Sequence, residues 1–311
     1  MADDWLNIAL RFGLYIGMAT LFGVSMFGVY AQRLSANFTS FGRRFTAFLL
    51  LAASADIILS LLSMVVTAKA MSGAETYAEL TAHILGMVIT GTDMGIAWIA
   101  RMLSLITCIA IIFSGLRFNI RFILLTAFSG VALATLAWSG HAAMNDGIKG
   151  AIHLVSGISH LWAAGAWIGA LFSLAMLALL DPQSNPDAIC VLSKTSNGFA
   201  RLGTVIVVSL IATGTINYVL IAGPSVDALI STQYGLLLSI KLSLFIGMLA
   251  LAAANRYLLS PKVELAITAG NGLEASRLLR RSLVMETTLA ILVVACVAWL
   301  GVLSPVISKA N

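Results

Sequence analysis

Charge is what this sequence has least of. Asp, Glu, Lys and Arg together supply 10% of its 311 residues, against 60% apolar side chains. Soluble globular domains carry about a quarter of their residues as charges, so a soluble domain is excluded. Cysteine is scarce as well: Cys108, Cys190 and Cys296 lie far apart and form no CxxC, which argues against a disulfide framework and against a thiolate clamp for a metal. There is no G-xxxx-GK[ST] phosphate loop and no Cys-Pro-Cys, so nothing in the chain points to a nucleotide-driven pump. The opening MADDWLN is acidic and lacks a basic n-region. No cleavable signal peptide is therefore expected, and the first helix should stay in the mature protein.

What the sequence has instead is long apolar runs. About 20 such residues cross a bilayer core of about 30 Å. Eight runs qualify, at 8–30, 45–67, 95–116, 121–142, 149–180, 199–222, 235–258 and 283–304. The expectation is an all-α polytopic membrane bundle of eight transmembrane helices, one integral membrane domain over 1–311, with halves at 1–148 and 149–311. Residues 74–92 are too polar and glycine-broken for a span and read as an amphipathic segment at the outer surface. The net charge of +5 does not call for a nucleic acid partner. Twelve of the eighteen Lys and Arg fall in the links 31–44, 117–121, 181–201 and 256–282, whereas the opposite links hold Lys69, Lys149 and Lys309. By the positive-inside rule both termini are expected on the periplasmic side.

The halves share short patterns. Gly95 and Gly235 each open a span with a cation six residues on, Arg101 and Lys241; AWSG at 137–140 parallels AWLG at 298–301; and LFG at 21–23 parallels WIG at 167–169. Four spans return the chain to the same side, so a repeat of this kind would be a parallel 4+4 duplication about an axis along the membrane normal.

Three of the four histidines cluster at the fourth link. His153, His160 and Trp167 are spaced by seven, close to two helical turns, and so share one face. His141 closes the preceding span, with Met144 three residues on, and it can face His153 or His160 across a short antiparallel connection. Imidazole is the commonest side-chain metal ligand and thioether sulfur selects soft ions, so this is a candidate metal site with copper as first choice. Five charges lie inside spans: Arg11, Asp56, Arg101, Lys241 and Glu286. Each costs about 3 kcal/mol to insert, so each needs a partner or an aqueous cavity. Arg101 and Lys241 are shallow enough to snorkel; Asp56 is expected to pair with Arg101, and Glu286 with Arg256 or Arg281. Gly165 and Gly169 form a G-xxx-G that would let another helix approach closely and, with Trp167, form a packing face.

At these residues the chain resembles the copper resistance protein D (CopD) family. Gly140-His141-Ala142, His160-Leu161 and Trp167-Ile168-Gly169-Ala170-Leu171 look like its motifs. So do Thr213-Gly214 with Asn217, Tyr234-Gly235 with Lys241, Asn255-Arg256, and Leu279-Arg280-Arg281-Ser282 with Glu286. The likeness covers the full chain and is strongest over 197–303. Ala170 replaces a second glycine, and Gly157 stands where an acidic residue would precede His160. The resemblance implies an inner-membrane protein of copper homeostasis, no enzyme, that moves copper from the periplasm into or across the membrane beside a CopC-type periplasmic copper carrier. It also favours His141 and His160 as ligands; helical rise puts His153 about 10 Å outward of His160, so His153 and Met144 are expected as secondary or alternate ligands nearer the entrance. A haem-binding membrane cytochrome and a copper-donating assembly factor are the alternatives; an optical spectrum separates the first of these.

Overall fold

The computed structural model describes residues 2–140, 144–181, 185–223, 232–259, 261–262, 265 and 272–303. All its regular structure is helical: α1 (Ala2–Leu34), α2 (Gly42–Ser72), α3 (Ala82–Gly91), α4 (Asp93–Phe113), α5 (Phe118–Ala134), α6 (Gly147–Ala178), α7 (Pro186–Ala222), α8 (Gln233–Ala254) and α9 (Gly272–Leu300). All but α3 are long and apolar enough to cross a membrane, and each coincides with one of the eight expected runs. Their backbone groups are satisfied within the helix, which is what a hydrocarbon surrounding demands. The starts are marked locally. Thr92 Oγ1 accepts from Gly95 N at 3.0 Å and Thr232 Oγ1 from Gly235 N at 2.9 Å, so the two glycines that open spans in the sequence sit behind threonine N-caps.

The chain alternates direction, so the starts of α1, α4, α6 and α8 share one end of the bundle with the ends of α2, α5, α7 and α9. We refer to this as the upper end. Trp5 and Trp299 meet there with ring centroids 5.7 Å apart and planes tilted by 55°, and Arg11 Nη2 donates to the Ser139 carbonyl at 2.7 Å, which gives this intramembrane cation its partner. The segment over 74–92 also lies at the upper end, where α3 packs on α2 and α4 through Val88, Met64 and Ala68.

Helix α1 is the hub, packing on α2, α5, α6, α7 and α9. Between Met18 and Gly28 nearly every residue is buried, the signature of a helix enclosed by protein on all sides. Its closest neighbour is α6. A Cβ at Gly23 would overlap the carbonyl oxygen of Gly165, and one at Gly169 would overlap the Gly23 backbone. The G-xxx-G therefore does what its spacing suggests, and its partner is α1.

In the first half α2 packs on α4, α4 on α5 and α5 on α1, closing a ring. In the second half α7 packs on α6, α8 on α9 and α9 on α6, while α7 and α8 stand apart. The halves are thus not equivalent, and chain duplication is not confirmed by this arrangement. The gap between α7 and α8 gives the second half its cavities.

Two expectations for intramembrane charges change. Arg101 neither snorkels nor bonds Asp56: it is 3% exposed and donates from Nε to Thr135 Oγ1 at 2.9 Å and from Nη2 to the Thr135 carbonyl at 3.4 Å. Thr135 begins the 3-10 turn Thr135–Ser139 that follows α5. Asp56 is fully buried, and neither carboxylate oxygen has a hydrogen-bond partner among the described residues.

Candidate functional site

The face of α6 that carries His153, His160 and Trp167 turns toward the second half of the bundle. His160 Nδ1 lies 2.8 Å from Thr213 Oγ1 of α7. That hydroxyl has one hydrogen, and it goes to the Ser209 carbonyl at 2.6 Å. Thr213 must therefore accept from Nδ1–H, which leaves the His160 lone pair on Nε2, the form a metal binds. The same helix pair is pinned by Ser156 Oγ donating to the Thr213 carbonyl at 3.3 Å.

His160 lines a cavity of about 400 Å³ walled by α6, α7, α8 and α9, with residues of α1 and α5 at its edge. Its walls are mostly apolar, and the polar groups reaching it include Tyr15, Tyr218 and Lys241. The Lys241 ammonium opposes a bare cation at His160, so an ion held there must bring or find compensating charge.

His153 is placed differently. Two turns above His160, about 10 Å along the axis, it is 1% exposed and its Nδ1 lies 2.8 Å from Asn145 Nδ2. The Asn145 amide therefore occupies the Nδ1 side of the ring, and a metal captured at His153 must displace that contact or bind Nε2. Met144 is exposed at the upper end, beside Asn145 in the chain. His141 lies outside the described residues. His83 is exposed on α3. Among the described residues no three His, Cys, Asp or Glu side chains converge as a metal cluster.

Below His160, Trp167 is buried, packs edge-on against Phe245 at 5.8 Å, and donates from Nε1 to Glu286 Oε1 at 3.3 Å. The other carboxylate oxygen, Oε2, accepts from Asn255 Nδ2 at 2.9 Å. This replaces the expected pairing of Glu286 with Arg256 or Arg281. Arg256 instead stacks on the Tyr257 ring, 5.2 Å from its centroid. The reason is the π-helical turn Asn255–Leu259 at the end of α8, which turns Asn255 toward α9 and its neighbour away. Trp167 is therefore more than packing: it also lines a second cavity of about 520 Å³, on its lower side.

Residues 1–151 match the family model for the copper resistance protein D-like N-terminal domain, and residues 193–300 match that for copper resistance protein D. The chain is 40% identical to "Copper resistance protein D" of Pseudomonas syringae pv. tomato, over 97% of this chain and 98% of that one. It belongs to the copper resistance protein D family. A more distant relative, "Inner membrane protein YebZ" of Escherichia coli (strain K12), is 28% identical over 85% of this chain and 87% of its own. No solved structure matches. The chain is accordingly a multi-pass membrane protein of a copper resistance family.

Within that family frame, sequence reasoning alone picked out His160, Lys241, Trp167 and Glu286 but had no account of Thr213, Asn145 or Asn255 as their partners. Thr213 and Asn255 were visible only as motif members, polar residues in apolar spans. Nothing in their spacing said which side chain each would meet.

Proposed function

We propose that this chain moves copper, as substrate, through the second half of the bundle, and that His160 Nε2 is a ligand on the route. The observation that carries this is the His160–Thr213–Ser209 chain of hydrogen bonds, which fixes the ring with its lone pair free at the wall of a membrane-embedded cavity. Outer-sphere partners of this kind orient metal-binding histidines generally. His141 is the second ligand in this reading. His153 and Met144 act nearer the upper entrance, where capture at His153 displaces the Asn145 contact or uses Nε2. The upper end faces the periplasm, both termini with it, and a CopC-type copper carrier delivers the ion there.

Copper per protein, measured on the purified chain, tests the site. Alanine at His141 and His160 together should abolish retention, while alanine at His153 or Met144 should weaken capture and leave bound metal detectable. Unchanged stoichiometry in the double variant removes the site. Copper accumulation in cells with and without the protein tests the movement. A cytoplasm-active reporter fused after Asn311 tests the orientation and should be silent.

A further inference from the structure

The lower cavity plays no part in the copper site, yet it holds a buried carboxylate with a donor on each oxygen. Glu286 is 3% exposed, with one donor on each carboxylate oxygen, Trp167 on Oε1 and Asn255 on Oε2. Asn255 is 7% exposed and lines the cavity, and its buried Oδ1 has no hydrogen-bond partner among the described residues. An orphaned buried acceptor is costly. Rotating the amide by half a turn would exchange its oxygen for its nitrogen. Oδ1 would then face Glu286 Oε2, a contact that works only when the carboxyl carries the hydrogen.

We propose that Glu286 and Asn255 form a proton-binding site in the lower cavity, and that the proton taken up there is the coupling ion for copper passage. The proposal rests on the copper-transport reading above. The donor set selects the ion. One carboxylate and one amide oxygen would leave a hard metal cation to draw most of its six or more oxygens from water, and are the wrong type for a soft copper ion. They suffice for a proton. On loading, a proton from cavity water adds to Glu286 Oε2, Asn255 turns, and the new O–H donates to Oδ1. Nothing is oxidised or reduced, and release to water reverses the step. Neutral Glu286 is a weaker acceptor for the Trp167 N–H. Trp167 lines both cavities, so loading loosens the partition between them.

The charged and titratable groups facing Glu286 are few. Arg256 and Tyr257 line the same cavity from the π-helical turn; α6 contributes Trp167, α7 contributes Asn197 and Thr204, and α1 contributes nothing to its wall. His160 and Lys241 lie beyond Trp167 in the upper cavity.

Two measurements on the full chain decide the proposal. Infrared difference spectra between alkaline and acidic pH should show the C=O stretch of a protonated carboxyl that is lost in Glu286→Gln. In Asn255→Leu the band should move to that of a carboxyl without its hydrogen-bond partner. In vesicles loaded with a pH-sensitive dye, added copper should change the lumenal pH with the intact chain and not with Glu286→Gln, with helix content by circular dichroism as the folding control. Copper movement without any pH change overturns the coupling. A titrating carboxyl band that survives in Glu286→Gln, or is unmoved in Asn255→Leu, overturns the site. If the intact chain moves no copper, the copper reading has failed and the coupling with it, while the infrared band still decides whether the proton site exists.

Discussion

Replacing Thr213 with valine removes one oxygen from the bundle and little else. The two side chains have nearly the same shape, so packing against α6 is kept, but His160 Nδ1–H loses the acceptor it holds at 2.8 Å. An unpaired, half-buried N–H costs about 1–3 kcal/mol. The ring relieves that cost by turning, or by moving its hydrogen to Nε2, and either response takes the lone pair away from the cavity. Losing such a partner typically weakens metal binding by about 10–100-fold, equivalent to about 1.4–2.7 kcal/mol. Thr213→Ser restores the hydroxyl and should restore most of the affinity. The assay is competition for copper against a chelator of known affinity, on purified protein, with thermal unfolding run in parallel to show that each variant is folded. Wild-type affinity in a folded Thr213→Val protein would refute the role given to His160 Nε2. So would a serine variant as weak as the valine variant.

Gly169→Ala should lower thermal stability by about 1–3 kcal/mol, the usual range for overpacking, because its Cβ would meet the backbone of Gly23 and Val24 rather than a side chain that can move; unfolding midpoints check this. Thr135→Val should cost about 1.5–3 kcal/mol, since it takes a hydrogen bond from the buried Arg101 guanidinium. Asp56→Asn should cost less than that in the same unfolding assay, because Asp56 has no hydrogen bond to lose among the described residues. Lys241→Met should tighten copper retention severalfold by removing a like charge from the cavity wall; weaker retention in the chelator assay would instead make Lys241 a positive contributor to the site.

The sequence alone determined where the helices are, because the cost of exposing peptide groups to hydrocarbon is paid locally, residue by residue, and hydropathy reads it directly. It also determined that Gly165 and Gly169 make a close-contact face and that His160 shares a face with Trp167, since both follow from helical period within one element. Partner choice between elements was decided only by tertiary structure. Arg101 took Thr135 rather than the carboxylate of Asp56 because a 3-10 turn presented both a hydroxyl and a carbonyl within its reach. Glu286 took Trp167 and Asn255 rather than an arginine because a π-helical turn rotated Arg256 toward Tyr257. The lone pair of His160 and the occupied ring of His153 are equally invisible in the sequence, where both are histidines on one stripe. Period places a side chain on a face, but the atom it meets belongs to another element, from eight to more than a hundred positions away, and irregular turns of a few residues help to set that meeting.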